Sequence, residues 1–293
     1  MKYLGGIEAG GTKFVCGISD LECNIVEKIS FPTTTPEETM GKVLDFFSKF
    51  EKREIVAIGV ACFGPIVVDT CSSSHGTITS TPKLAWQNFA LYDFMKEHFS
   101  CPIEINTDVN GSVAGEFHFG AGRGTKDLVY FTVGTGIGAG IIQNGKVGKA
   151  SEVGHIPMKK HPLDTYEGNC PFHLDRCLEG LACGPAIENR WQVKSARELE
   201  ATHLAWEIEA YYLAQAVMAV NLILSPDRVI LGGGVMGQPH LISMVRKQLS
   251  TLDNGYFIAN DKNLDEFVVT PEIEGVSGLV GSFCFARDAY KNI

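Results

Sequence analysis

Apolar residues recur along this chain in two rhythms, short runs bounded by glycine and longer stretches at helical spacing, and the two alternate. Tyr3 to Glu8 and Lys13 to Ile18 read as strands joined by the tight turn Ala9-Gly10-Gly11-Thr12. A third strand follows near Ile25 to Phe31. Thr35, Pro36 and Glu38 then offer a helix N-cap, a proline at the first helical position and a capping-box glutamate. Met40, Val43, Leu44 and Phe47 carry the apolar stripe of a helix that runs to about Phe50.

Ile55 to Ala61 is a buried strand ending in Cys62-Phe63-Gly64-Pro65, and Pro102 to Asn106 is another that leads into a helix from Asp108. Strands alternating with helices predict an α/β class. The opening device then recurs: strand Leu128 to Val133, turn Gly134-Thr135-Gly136, strand Ile137 to Ile142. Val229 to Leu231 runs into Gly232-Gly233-Gly234, echoing the strand that ends at Gly64. The two halves read as copies of one plan, the second enlarged by an irregular insert over about 145–184. Helices at about Leu204 to Leu224, His240 to Leu249 and Ser277 to Tyr290 complete the chain.

The length, 293 residues, favours two domains over a single core. The glycine-rich stretch Gly120 to Gly124 marks the boundary, giving domains at 1–118 and 119–276. With 25 Lys+Arg against 34 Asp+Glu the net charge is -9, and no basic patch stands out, which argues against a nucleic-acid partner. The longest apolar stretch, Leu213 to Leu224, is interrupted by Gln215 and Asn221, so no membrane span is expected. No basic-then-apolar leader precedes the first strand, which predicts a cytoplasmic protein. In that reducing setting the nine cysteines are expected to pack or to ligate metal rather than form disulfides.

The turns carry the candidate chemistry. Around Glu8-Ala9-Gly10-Gly11-Thr12-Lys13, glycines let a polyanion approach the backbone, whose successive N–H groups form an anion-binding concavity; Glu8 could orient water on an accompanying Mg²⁺. The plainer alternative is a hairpin whose glycines satisfy positive φ. Thr132 and Gly134-Thr135-Gly136 form a second cradle of the same kind, and two cradles suit one nucleotide. At Gly232-Gly233-Gly234-Val235-Met236 the missing side chains would let a base or ribose lie against the backbone. Asp108 is either an N-cap or a carboxylate that accepts the proton of a hydroxyl attacking a γ-phosphate, with Asn110 holding that hydroxyl.

The insert holds His155, Cys170, His173 and Cys177, two Cys and two His, which make up a closed tetrahedral zinc set; His161 competes as fourth ligand. Cys16, Cys62 and Cys284 read as lone buried thiols. Glu152 and Glu179 flank the insert's cluster, suited to sugar hydroxyls or else simply solvated. Lys83 and Trp86 could line the opposite wall of such a site, or form a surface loop around one packed Trp.

Together these residues resemble the ROK family of sugar kinases and sugar-responsive repressors, within it the fructokinase branch. The resemblance spans nearly the whole chain. It is carried by Gly6-Ile7-Glu8-Ala9-Gly10-Gly11-Thr12-Lys13-Phe14, Phe63-Gly64-Pro65-Ile66, Thr107-Asp108-Val109-Asn110, Gly134 to Gly140, Glu152-Val153-Gly154-His155, Cys170-Pro171-Phe172-His173 and Cys177-Leu178-Glu179-Gly180. It implies a two-domain actin-like ATPase (ribonuclease H-like) fold with a zinc-binding insert, closing around its ligands, and a terminal helix over about 277–293 packing back on the first domain. It further implies Asp108 as general base, and a nucleotide set of Glu8, Gly10, Gly11, Thr12, Lys13, Thr132, Gly134, Thr135, Gly136, Pro185, Gly232, Gly233, Gly234, Val235 and Met236. The sugar would meet Gly64, Pro65, Lys83, Asp108, Asn110, Glu152, His155 and Glu179.

Glu8 stands where many relatives carry Asp, a mark of the fructokinase-like members. His173 replaces a family cysteine, and three residues separate it from Cys177 where close relatives carry two. The expected activity is Mg-ATP-dependent phosphorylation of a free hexose, D-fructose foremost, in a homodimer. Mannose, glucose or an N-acetylhexosamine are the other acceptors; a non-catalytic sugar-sensing protein is the other class. Regulators of that kind carry an N-terminal helix-turn-helix, for which the early first strand leaves no room.

Overall fold

The computed structural model describes residues 1–292 except 51–53, 257–261 and 274. The chain divides into two compact units, Met1–Gly120 with Val147–Ala150 and Gly275–Ile293, and Ala121–Lys146 with Ser151–Glu274. The short segment Val147–Ala150, inside the expected insert, groups with the first unit. Among the described residues no helix is long and apolar enough to cross a membrane.

The first unit is built on strands β1 (Lys2–Ala9), β2 (Lys13–Ser19), β3 (Ile25–Pro32) and β4 (Glu54–Cys62), the short pair β5 (Thr77–Ile78) and β6 (Phe89–Ala90), and β7 (Ile103–Thr107). Its main sheet runs β3-β2-β1-β4-β7. β1 pairs antiparallel with β2 and parallel with β4, which is parallel to β7. The register sets Glu8 opposite Ala61 and Cys62 opposite Thr107, so the strand ends bearing Glu8, Gly64 and Asp108 share one edge of the sheet. In open α/β sheets that carboxyl edge is where ligands bind.

The second unit repeats the order. Its strands β8 (Leu128–Val133), β9 (Ile137–Gln143), β10 (Lys146–Val147), β11 (Arg228–Gly232) and β12 (Val268–Val269) run β10-β9-β8-β11-β12. Here too the central strand is antiparallel to its hairpin partner and parallel to the strand across it. The duplicated plan expected from the glycine turns is therefore present in the topology.

Helix α1 (Pro36–Ser48) starts as its sequence dictates: Thr35 Oγ accepts the Glu38 N–H at 3.4 Å, Pro36 opens the helix, and Met40, Val43, Phe46 and Phe47 are buried. It stops at Ser48, just short of the expected end at Phe50. Helices α2 (Leu91–His98) and α3 (Asp108–Phe119) follow in the first unit, and α4 (Leu178–Ala182), α5 (Gly184–Trp191), α6 (Leu204–Leu224) and α7 (Leu241–Asp253) in the second. One face of the first sheet packs Ile7, Phe14, Ile58 and Val60 against Phe46, Phe47 and Trp86. Its other face packs Leu4, Val15, Ala57 and Ala61 against Leu279 and Phe283 of the terminal helix (Ser277–Lys291).

That helix lies unusually close. Every residue from Ser277 to Ala286 is buried, and six of those ten are Ser, Gly, Cys or Ala. A Cβ on Gly59 would fall inside the Ser282 carbonyl, one on Gly281 inside the Gly111 carbonyl, and one on Gly115 inside the Ser277 carbonyl. Backbone thus touches backbone on both the sheet and α3. Cys16 and Cys62 are buried as expected, but Cys284 is not alone. It shares a hydrogen bond with Cys23, which holds the Cys23 thiol below its ordinary value and pushes Cys284 well above.

Gly281→Val should cost about 3 kcal/mol or more, because a backbone carbonyl cannot rotate aside as a side chain does. Gly41, inside α1 with open space where a methyl group would stand, gives the opposite sign: Gly41→Ala should raise stability by about 0.4–1 kcal/mol. Equilibrium unfolding in urea measures both, and equal effects would contradict the packing account.

Candidate functional site

In the first unit the site is built at the ends of β1, β4 and β7. Gly10 N–H donates to the Lys13 carbonyl at 3.0 Å, closing the turn after β1, and a Cβ on Gly10 would stand 2.7 Å from that oxygen. Gly11 has no such constraint: only the Lys83 Cε, at 3.7 Å, would meet its Cβ. Thr12 and Lys13 are exposed. None of Gly10, Gly11, Gly134 or Gly136 has a positive φ, so the hairpin explanation of these glycines fails. The open position of Gly11 is what a ligand pressed against the backbone requires.

Asp108 is the first residue of α3, and the cap is Thr107, whose side chain accepts the Asn110 N–H at 3.2 Å. The N-cap alternative for Asp108 is therefore overturned, and the Thr-Asp order was the signal for it. Asp108 Oδ1 accepts the Val109 N–H at 2.8 Å. Burial pushes the Asp108 carboxyl up to about 6, against the pull of that hydrogen bond and with help from the neighbouring Glu8 charge. Burial likewise raises Glu8, opposed by Lys13 and by the Leu279 N–H at the start of the terminal helix. Glu8 Oε2 is buried with no partner among the described residues.

Asn110 is buried, and its amide donates to Asn106 Oδ1 at 2.8 Å and to the Gly148 carbonyl at 3.2 Å. Both donors are spent; Oδ1 is the atom left without a partner. Asn110 can thus accept from a hydroxyl and not donate to one. Asn106 and the Gly148 carbonyl were not singled out in the sequence; the i, i+4 spacing of the two asparagines on a strand end and helix was the only clue. Gly64 and Pro65, joined by a cis peptide, are exposed at the end of β4. Of the two readings of Trp86 the packed one holds: it is fully buried against Phe14, Phe63 and Phe89, with its indole N–H donated to the Thr34 carbonyl at 2.7 Å.

In the second unit the turn after β8 closes through Gly134 N–H to the Gly136 carbonyl at 2.9 Å, while the Gly134 carbonyl accepts the Gly184 N–H at 2.7 Å. This sets the start of α5, with Pro185 in its first turn, beside the glycine turn. A Cβ on Gly134 would approach only the Gly234 N, at 4.0 Å, and one on Gly234 would meet nothing. Thr132 sits opposite Gly232 in the register and Thr135 is exposed. The rest of the triple-glycine segment is corrected. Gly232 is small because Tyr130 fills its space, Gly233 has φ 92, and the side chains of Val235 and Met236 are in the core. Only backbone is on offer there, with open space at Gly234.

The insert folds into a cluster. His155, Cys170, His173 and Cys177 each present one ligand atom, and these atoms lie within 4.8 Å of one another. Cys170 Sγ is 3.8 Å from His155 Nδ1 and 3.7 Å from His173 Nδ1, and Cys177 Sγ is 3.7 Å from His155 Nδ1. A tetrahedral ion with Zn–N near 2.0–2.1 Å and Zn–S near 2.3 Å has ligand-to-ligand edges of about 3.3–3.8 Å, so the donor set fits. His161 lies outside it: its Nδ1 accepts the Leu163 N–H at 3.2 Å.

With Nδ1 turned to the cluster, His155 leaves Nε2 facing Glu179 Oε1 at 4.0 Å. Glu179 Oε2 accepts the Ile137 N–H at 2.9 Å, tying α4 to the first residue of β9. Glu152 is exposed at the start of the turn bearing His155.

Comparison with known proteins places the chain in a family. The ROK family model matches residues 4–289. A fructokinase of Streptococcus mutans is 42% identical over 293 residues, covering 98% of each chain. A fructokinase of Lactococcus lactis is 43% identical over 294 residues, again with 98% of each covered. Among solved structures, a ROK hexokinase from Thermus thermophilus superposes with a TM-score of 0.80 at 24% identity, over 99% of this chain and all of that one. Matched from its first strand to its terminal helix, with two sheets of the same order and the glycine turns at their edges, the chain belongs to the ROK family.

Proposed function

We propose that this protein transfers the γ-phosphoryl group of ATP to the 6-hydroxyl of D-fructose. The observation that carries the chemistry is Asp108, a buried carboxylate on the first turn of a helix at the carboxyl ends of the strands, raised to about 6. At neutral pH it is mostly ionised, yet more basic than an ordinary carboxylate, which is what a general base for a hydroxyl needs. The fructokinase relatives, more than two-fifths identical over almost their whole length, support the choice of sugar.

Residue by residue, Asp108 takes the proton of the 6-hydroxyl and Asn110 Oδ1 accepts from a sugar hydroxyl, its amide being engaged elsewhere. Glu152, His155 Nε2 and Glu179 supply further contacts to the sugar, with Gly64 and Pro65 contributing backbone at the end of β4. The turns at Gly10-Gly11-Thr12-Lys13 and Thr132 to Gly136 cradle phosphates through their N–H groups, and Pro185 and Gly232 to Met236 face the nucleoside with backbone. Mg²⁺ bound with the nucleotide supplies charge neutralisation on the β- and γ-phosphates. Glu8, one oxygen held by the Leu279 N–H, keeps Oε2 for water in that shell.

Zinc at His155, Cys170, His173 and Cys177 supplies a closed, structural brace. Cys177 also caps α4, its sulfur accepting the Gly180 N–H at 3.4 Å, so the brace leads directly to Glu179.

Asp108→Asn should lower kcat by about 10²–10⁴-fold while nucleotide affinity stays within about twofold, read by a coupled assay for ADP release and by calorimetry. Sugar-independent ADP release, or none with any hexose, would refute the kinase reading. Wild-type kcat/KM should fall on an acidic limb centred near pH 6 rather than 4, because the base must be ionised.

The same raised value sets a stability effect of definite sign. The unfolded carboxyl ionises near pH 4 and the folded one near 6, so the native state binds more protons between them and loses stability as pH rises through that window. Asp108→Asn should therefore be more stable than wild type at pH 8, by up to about 3 kcal/mol, with the gap closing toward pH 4. Cys170→Ser should drop zinc, measured by mass spectrometry, from one per chain to near none and raise the fructose KM by about 10–100-fold. Full zinc with unchanged KM would contradict the brace.

A further inference from the structure

We infer that Lys83 serves the transferred phosphoryl group, as a catalytic cation over the Gly10-Gly11 turn, and is not a sugar contact. The inference rests on reading that turn as a phosphate cradle. Lys83 begins a three-residue helical turn whose backbone is held on several sides. Its N–H donates to Thr81 Oγ1 at 3.3 Å and its carbonyl accepts the Trp86 N–H at 2.8 Å. Gln87 Nε2 donates to the Thr81 carbonyl at 3.0 Å, and Trp86, wholly buried, anchors the turn through its bond to the Thr34 carbonyl.

From this fixed base the side chain extends across the first glycine turn. Its last carbon, Cε, is the atom nearest to where a Cβ of Gly11 would stand, 3.7 Å away, so the stem lies over the open side of the turn, a methyl group's width from it, and the ammonium is one bond further. Among the described residues no carboxylate pairs with it. Lys13, the other cation of the turn, differs in that its charge acts on Glu8. Lys83 is the lysine of this turn whose charge is unspent.

In the transfer step the sugar oxygen bonds to the γ-phosphorus while the bond from that phosphorus to the β,γ-bridging oxygen breaks. The bonding pair leaves with ADP and the hydroxyl proton goes to Asp108. Charge spreads over the three non-bridging oxygens of the phosphoryl in flight. Lys83 donates a hydrogen bond to one of them, an interaction that strengthens as that charge builds. A sugar contact would instead act alike on the ground and transition states.

Lys83→Met and Lys83→Arg in the full chain, assayed with Mg-ATP and D-fructose, separate the two roles. Lys83→Met should lower kcat by about 10²–10³-fold with fructose KM within about threefold, and Lys83→Arg should recover at least about tenfold of that loss. Because Lys83 is half-buried and its hydrogen bonds within the turn are made by its backbone, neither should alter the melting temperature of the free protein. ADP with aluminium fluoride and fructose should stabilise the wild type against heat but not Lys83→Met. A fructose KM raised about tenfold with kcat intact would return Lys83 to the sugar and overturn the inference, as would two unchanged constants. A wild-type chain that phosphorylates no hexose would overturn the kinase reading, and this inference with it, which is distinct from a working kinase indifferent to Lys83.

Discussion

The first unit hangs on a contact between backbones. Gly59, Gly111, Gly115 and Gly281 let the terminal helix settle onto the sheet and α3 with carbonyls where side chains would normally stand. The consequence is chemical as well as structural. The start of that helix is driven against Glu8, so closely that a Cβ on Gly278 would be 2.7 Å from the glutamate Cδ. The start of α3 carries Asp108. Two carboxylates thus sit on two helix N-termini, where the dipole and free N–H groups favour the ionised form by typically 0.3–1 kcal/mol. Both nevertheless have raised values, and for Asp108 the rise to about 6 corresponds to about 3 kcal/mol against ionisation. Burial outweighs the helix ends, and at Asp108 the Glu8 charge adds to it. What results is a pair of buried carboxyls, Glu8 held by the Leu279 N–H and Asp108 by its own and the Val109 N–H.

The second unit reuses the plan but spends its glycines differently. Gly134 and Gly234 face open space, whereas Gly136 is glycine because Glu179 Oε2 would lie 2.7 Å from a Cβ there. That carboxylate is the hinge of the unit's polar architecture. Through Oε2 it fixes the start of β9, and through Oε1 it approaches the histidine whose other nitrogen faces the cysteine cluster. A short helix of five residues has little stability of its own. α4 is held from outside instead, by the Cys177 cap at its start and by Arg190, whose Nη2 donates to the Leu181 carbonyl at 2.7 Å while paired with buried Asp164.

Much of this was legible because it depends on local pattern. Apolar spacing located the strands and α6 from Leu204 to Leu224, Thr35-Pro36 announced α1, and paired Cys and His within one loop announced the cluster. The misreadings share a cause: a residue's type does not say which face it presents or who waits there. Trp86 could have been wall or packed core, and it is core because Phe14, Phe63 and Phe89 converge on it. The three glycines at 232–234 looked alike, but one yields to Tyr130, one to a φ of 92, and one to nothing. Cys284 gained a partner far away in the chain, Cys23, and Asn110 lost its donors to Asn106 and to a carbonyl at Gly148. Such pairings are made by tertiary structure and leave no periodicity behind.

The three residues between His173 and Cys177 show how a short loop closes on itself. Leu174 takes a left-handed conformation, φ 52, and its N–H returns to the Cys170 carbonyl at 2.9 Å, while the Arg176 N–H bonds the His173 carbonyl at 3.0 Å. The loop thereby tightens on itself and keeps both ends in place. Gly168 and Gly180 pack directly beneath Leu174, where any side chain would strike its carbonyl. A left-handed leucine carries about 1–2 kcal/mol of strain, which these contacts and the four converging ligands hold in place. Glu179 has a second anchor beyond the loop, the Ile137 N–H that its Oε2 accepts at 2.9 Å. Cys177 joins the two, as a member of the cluster and as the cap of α4, so the loop and the helix that carries Glu179 are held at one point from the cluster side and at another from β9.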